Sequence, residues 1–543
     1  MRTVERRAME TKMEAQTPFQ SELRGIWATL AWLTTDRLLV FILFLGLFAM
    51  AVRLPTDTDT WWHLRSGQYI VETGRIPLHD PFSHTVSGKE WIDSSWLAQL
   101  PLWAIYRMAG AGGLALGLAL VVLATFVVVF WQCEGGLYVR AFAVLLAALT
   151  SALYWAARPQ MLSFFLTAVF LYILYLYKRR GINRLYLIPA LTAVWVNLHG
   201  GVAVGFILLG LYIVGEALNN VIGLGDAPIL SYRQVLTLIG ATVVSLGAVL
   251  INPNTWKMLT YPFFTVSIGA LQDFIQEWAS PDFHQAYQQP FLWMLLALMA
   301  AMALSRFRVD FTDLLLTAVF AYMSLMAVRH VALFAVVAAP VLARHGESAL
   351  HQVLDAFRRR TPWGPWLDRL LAHRFPCTPL MVALHWALLS VMALSVLVRA
   401  AQPFSPAYAA AELEARLPVK AADFIAQNGL PRELFNPYNW GGYLMWRLYP
   451  DYPVFIDGRT DLYDDAFIRL YLRVASGRPG WQETLNDYGV ETIVAERGSP
   501  LSELLRYAGG WAAVYADNLA VIFVRDTVAN RQLIERHGLA WQP

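Results

Sequence analysis

Between residues 38 and 399 the sequence is a succession of apolar runs, roughly 16 to 22 residues long, divided by short polar turns: 38–54, 94–109, 111–131, 139–157, 160–178, 184–199, 201–219, 234–251, 290–305, 312–327, 329–344 and 378–399. A helix rising about 1.5 Å per residue covers a hydrocarbon core of about 30 Å with such a run. A water-soluble fold cannot bury so many of them. Charged residues make up 15% of the chain, against about 25% in soluble domains, and 57% of residues are hydrophobic, with a mean hydropathy of +0.45. The expected fold class is therefore a polytopic α-helical membrane protein with about 11–12 transmembrane helices.

Basic loops orient the chain. Arg2, Arg6, Arg7, Lys12 and Arg24 precede the first run, and no small-residue cleavage site follows it, so residues 1–37 are expected to be a cytoplasmic segment ahead of an uncleaved anchor. Lys178-Arg179-Arg180 with Arg184, and the stretch from Arg344 to Arg374, should also be cytoplasmic. Parity then decides the count. Both basic loops face the cytoplasm only if one early run does not cross, and 94–109, with Asp93, Gln99 and Arg107 at or near its ends, is the natural one to make interfacial or half-inserted. About eleven spans remain, within a membrane module over 38–400. The external side then receives loops 55–110 and 252–289, the turns at Arg158 to Gln160, Asn197 to Gly201 and Arg329-His330, and everything after 401. The expected location is the cell inner (plasma) membrane, in the cell envelope.

Residues 401–543 change regime. Helix-like 418–428 and 465–475 alternate with strand-like 442–448, 453–457 and 492–495 and a hairpin over 511–525, predicting an extracytoplasmic α/β domain. Its polar residues concentrate in NPYNWGGYL, with Gly441-Gly442, and in FIDGRTDLYDD, with Asp457, Arg459, Asp461, Asp464 and Asp465. The two cysteines, Cys133 and Cys377, lie far apart in or beside apolar runs and suggest packing rather than a disulfide or metal cluster. A net charge of +3 gives no reason to expect nucleic acid as a partner.

The loop 55–99 is the polar exception in the membrane half. It carries Asp57-Thr58-Asp59-Thr60-Trp61-Trp62-His63-Leu64, Gly67-Gln68-Tyr69-Ile70, Gly74-Arg75-Ile76-Pro77 and Asp80-Pro81-Phe82-Ser83, and Ala157-Arg158-Pro159-Gln160-Met161-Leu162 follows in a later external turn. One span, an acidic external loop with an aromatic amphipathic helix, and a many-helix bundle together resemble membrane glycosyltransferases of the GT-C fold. The protein O-mannosyltransferases and the lipid A aminoarabinose transferases are the members in view. The resemblance covers about the first 180 residues, and Gln160 departs from it, an acidic residue being common in that turn. It implies a polyprenyl-phosphate sugar donor and an inverting transfer on the external face; membrane lipids are the other expected partners. The acceptor, whether glycan, lipid or protein, is not implied.

Such a transfer needs a carboxylate to take the acceptor's proton and cations to hold the donor phosphate. Asp57 and Asp59 are the candidate catalytic residues, and their D-x-D spacing also suits Mg2+ or Mn2+, with His63 one helical turn beyond Asp59. The plain alternative is that Asp59 or Thr60 caps a helix starting at Trp61. Arg329 and His330 at an external helix start, with Arg158 as a second clamp, are candidates for the donor phosphate, against simple snorkelling to headgroups. Asp273 and Glu277 share one face if LQDFIQEW is helical, making Glu277 a candidate for acceptor binding or a second metal ligand, against a solvated interfacial face. His199 in NLHGG is a candidate contact, against helix packing. Trp61, Trp62, Tyr69, Trp91 and Trp96 suit a membrane-interface belt better than sugar stacking.

Two other classes compete. A transporter or flippase of lipid-linked glycans would carry ionisable residues in mid-helix and internal repeats; the runs are almost free of mid-span charge and show no clear repeat, so transport ranks second. A non-catalytic scaffold presenting 401–543 would leave the loop carboxylates without a purpose. Walker, dinucleotide-binding, Ser-His-Asp and CxxC patterns are absent from the sequence.

Overall fold

The computed structural model describes residues 25–223, 225–269, 276–366 and 378–539. Apolar length does what it implies: among the described residues seven helices are long and apolar enough to cross a membrane, namely Trp96–Gln132, Leu137–Tyr154, Gln160–Arg180, Gly200–Ile222, Ala286–Leu304, Val328–Arg360 and Pro379–Phe404. Four further apolar helices are shorter: Thr35–Ala51 and Tyr232–Ala248 have 17 residues each, Phe311–Met326 has 16 and Leu187–Leu198 has 12. The chain is thus a multi-pass membrane protein, as its composition requires. Asp273 and Cys377 lie outside the described residues.

The runs 94–109 and 111–131 form one element interrupted at Gly110, whose φ of 59° and ψ of −154° are not helical. Glycine takes that conformation without the steric cost a Cβ would add. The limb before the break, which also contains Pro101, packs under a second, amphipathic helix, Asp59–Thr73. Contact is close because Gly67 faces the Gln99 carbonyl, where a side chain would collide. The second helix ends on Gly74 in the left-handed conformation, φ 68°.

Within the bundle the helix Val331–Arg360 is central. Ala335, Ala338, Ala339 and Ala343 on it are fully buried, and such small residues let neighbouring backbones approach. Charges gather at the bundle's ends. Lys178 meets Glu216 at 2.5 Å and Asp310 at 2.9 Å, while Arg179 and Arg344 reach Asp313 at 3.1 and 2.8 Å. Lys178 lies in the last turn of the helix whose start follows Arg158, so this network lies about 30 Å from Arg158.

The C-terminal residues build a four-stranded sheet in the order β1-β2-β4-β3, with β1 Leu434–Phe435, β2 Thr492–Glu496, β3 Trp511–Ala516 and β4 Ala520–Arg525. β1 runs parallel to β2; the β2/β4 and β3/β4 pairs are antiparallel. Two sequence expectations fail here. Residues 442–448 are not a strand but the end of a helix, Tyr438–Leu448, which buries Trp440, Tyr443, Leu444 and Met445. Alternation was misleading because the helix is buried on most of its circumference, which erases the 3.6-residue signature. Residues 453–457 form no named strand; instead Val454 bridges in parallel to Ser83, with Val454 N–H donating to the Phe82 carbonyl at 3.2 Å and His84 N–H to the Val454 carbonyl at 3.1 Å.

The loop 55–99 is therefore annexed by the C-terminal module. Trp61, Leu64, Phe82 and Trp91 share one core with Phe435, Tyr443, Phe455 and Tyr463. Trp61 and Trp91 are 1% and 2% exposed, inside protein rather than in an interfacial belt. Arg459 fastens the joint. It is fully buried, donates to Asp457 Oδ2 at 2.7 Å and Asp80 Oδ1 at 2.6 Å, and lies over the Trp91 ring at 4.7 Å.

Candidate active site

Three carboxylates converge on one guanidinium. Arg158 Nη1 donates to Asp59 Oδ2 at 2.5 Å, Nη2 donates to Glu277 Oε1 at 2.7 Å, and Nε lies 3.5 Å from Asp57 Oδ1. The residues come from the loop after the first apolar helix, the turn before Gln160–Arg180, and the segment after Lys257–Ser267. A tight bend, in which Arg158 N–H donates to the Ala156 carbonyl at 2.7 Å, leads into Pro159 at the N-cap and leaves the arginine just ahead of the helix.

Capping does not explain Asp59. The helix N-cap is Thr58, no side chain caps it, and Asp59 occupies the first helical position with its carboxylate turned to Arg158. Asp57 does take a local role, its Oδ1 accepting from Asp59 N–H at 3.0 Å. Asp59 is 26% exposed, into a cavity rather than to bulk water. Burial pushes its carboxyl up to about 7; Arg158 opposes this, while Asp57 and Glu277 add to it. Glu277 goes the other way. Burial raises it, but Arg158 and Arg329 together hold it below the usual carboxylate range. Arg158 thus sits between one carboxyl held above its ordinary value and another held below it.

Arg329 faces the same space differently. Its guanidinium stacks on Trp278 at 4.4 Å, and among the described residues it makes no ion pair or hydrogen bond to a side chain. Its neighbour His330 is turned back, Nδ1 lying 3.1 Å from the Met323 carbonyl, and touches the cavity only from the apolar side. Of the three residues expected at an anion, Arg329 is the one with no ion pair or side-chain hydrogen bond among the described residues.

Both histidines near the cluster are neutral. His199 Nδ1 accepts from Gly201 N–H at 3.0 Å and lies 2.9 Å from Ser163 Oγ; burial, then Arg329 and Arg158, lower it to about 3. His63 lies well below its ordinary value for the same first reason, burial, with Arg158 and His199 adding to it. Gln99 Nε2 is 3.3 Å from His63 Nδ1 and donates to Asp93 Oδ1 at 2.9 Å. Asp93, buried, is pushed up to about 7.

Two cavities meet at this cluster. One, of about 250 Å3, is lined mostly by apolar groups such as Met161, Phe164, Val204 and Leu333; the other, of about 580 Å3, is polar. Tyr261, His199, Glu277 and Arg329 border both. The polar cavity's far wall belongs to the C-terminal module: Tyr438, Gly458, Thr460 and Asp461, with Tyr261 O–H donating to Asp461 Oδ2 at 3.1 Å. None of these was singled out as a site residue from sequence, although Gly458 to Asp461 fall inside the polar FIDGRTDLYDD stretch.

The arrangement does not suit a divalent ion as it stands. Asp57, Asp59 and Glu277 each face Arg158, which supplies the positive charge that an ion would, and among the described residues no group of three His, Cys, Asp or Glu is set to hold a metal ion together.

No family model and no curated protein matches the sequence. Solved structures do match in shape. The crystal structure of the Archaeoglobus fulgidus oligosaccharyltransferase, tethered to an acceptor peptide containing the NVT sequon, superposes with a TM-score of 0.50 at 13% identity, over 92% of this chain and 75% of that one. ArnT from Cupriavidus metallidurans in the apo state gives 0.49 at 15% identity, over 91% and 98%. At such identity the likeness speaks for the fold, which is GT-C.

Proposed function

We propose that this GT-C protein is a membrane glycosyltransferase that moves a sugar from a polyprenyl-phosphate donor to an acceptor hydroxyl on the external face of the inner membrane. The observation that carries the proposal is the meeting of Asp59, Arg158, Glu277 and Arg329 at the junction of an apolar and a polar cavity. The apolar cavity suits the first part of a lipid chain. Arg329, with Arg158 behind it, suits the phosphate. The sugar then projects into the polar cavity, where an acceptor enters against the C-terminal wall.

The chemistry follows from these placements. The acceptor oxygen forms a bond to the sugar's anomeric carbon as the bond to the phosphate oxygen breaks, and the departing electron pair is stabilised on the phosphate by the two arginines. Asp59 takes the acceptor proton. A carboxylate near 7 is a better base at neutral pH than an unperturbed one, since Brønsted behaviour favours a value near the working pH. Asp57 orients Asp59 through its backbone N–H, and Glu277 holds Arg158.

The test is transfer by purified, lipid-reconstituted protein offered radiolabelled polyprenyl-phosphate sugars, with and without EDTA. Label passing to an acceptor fraction supports the reading, and loss of transfer with EDTA would assign Asp57 and Asp59 to a metal. Binding without transfer would favour a transporter.

A further inference from the structure

The glycine of the FIDGRTDLYDD motif has no part in the chemistry above, yet it lies against its base. An added Cβ at Gly458 would overlap Asp59 Oδ1, with Trp62 Nε1 3.4 Å away. A second glycine repeats the pattern, since a Cβ at Gly442 would come within 2.5 Å of the Thr58 carbonyl. Two separate segments of the C-terminal module thus close on the first residues of the helix Asp59–Thr73 with bare backbone. Neither glycine is there for its conformation, both having ordinary φ. Space is the reason. The other carboxylate oxygen of Asp59 is held by Arg158 at 2.5 Å, so a carboxylate pushed aside by a new Cβ would have to strain or break that ion pair.

The segment bearing Gly458 is itself fixed. Arg459 is locked by Asp457 and Asp80, and Thr460 Oγ1 lies 3.2 Å from Tyr438 O–H, on the helix that carries Gly442.

We infer that Gly458 is a positioning residue: it sets where the Asp59 carboxylate stands, so the C-terminal module is part of the catalytic apparatus rather than an appended domain. This rests on the glycosyltransferase reading for its kinetic half only. A displacement on the order of 1 Å at a reacting group costs about 100-fold in rate.

The experiment is a double-mutant cycle on reconstituted protein with Gly458→Ala, Asp59→Ala and both together, and Gly509→Ala, whose Cβ would meet nothing within 4 Å, as control. Gly458→Ala should lower Tm, and Asp59→Ala should remove most of that loss by clearing the overlap. In transfer assays Gly458→Ala should lower kcat by about 100-fold and leave both KM values within about twofold, Gly509→Ala changing nothing. Additive Tm effects, or a Gly458→Ala enzyme with unchanged kcat, would overturn the inference. The Tm cycle needs no activity, so a wild type that transfers nothing would sink the glycosyltransferase reading while still testing the contact.

Discussion

Arg158 donates to Asp59 and Glu277 at once, at 2.5 and 2.7 Å, from a side chain only 10% exposed. One guanidinium therefore holds together two carboxylates whose parent segments lie more than two hundred residues apart. Removing it leaves partly exposed acids without a counter-charge, which costs less than the roughly 3–5 kcal/mol of a fully buried pair. Arg158→Met should lower the thermal midpoint well below wild type, and Arg158→Lys, unable to fork, should recover stability better than transfer. Thermal unfolding in detergent beside a transfer assay checks both.

The pH dependence has a defined sign. Asp59 acts as a base only when ionised, so kcat/KM should rise with pH and reach half its plateau near pH 7. Stability runs the other way. With the folded value near 7 and the ordinary value at 3.8, the folded chain binds more protons across that window, so this group's contribution is full below about pH 4 and is lost as pH rises through 7. Asp59→Asn should lessen the slope of Tm between pH 4 and 8, leaving the share that Asp93, also raised to about 7, contributes.

Arg329 should act on the donor alone. Arg329→Ala, and more mildly Trp278→Ala, which removes the ring under the guanidinium, should raise KM for the lipid-linked sugar about tenfold or more. KM for the acceptor should stay put. An equal rise in both would place Arg329 outside the donor subsite.

The joint between loop and C-terminal module rests on Arg459. Its partners Asp80 and Asp457 are both fully buried, so Arg459→Met should destabilise by about 3–5 kcal/mol. Limited proteolysis should then cut the 75–90 loop sooner than in wild type.

The membrane architecture was readable because length and apolarity translate directly into helices, and the break at Gly110 falls between two runs that were already separate by pattern. Asp57, Asp59, Arg158, Glu277 and Arg329 stood out as charges beside apolar runs, and they are brought together in space. His330 did not follow, because its ring satisfies the Met323 carbonyl instead of facing the cluster. The C-terminal wall was illegible as a site. Nothing in periodicity says that residue 458 lies on residue 59, and the glycines reveal their purpose only through what they touch. Residues 442–448 misled for a related reason, burial on most sides having erased the helical pattern.

The central claim is that Asp59 is the base of a sugar transfer. Single-turnover transfer by reconstituted Asp59→Asn, preloaded with a radiolabelled polyprenyl-phosphate sugar that the wild type uses, tests it most directly. The account predicts donor binding close to wild type and a transfer rate lower by about 100- to 10,000-fold. Transfer at the wild-type rate would contradict it.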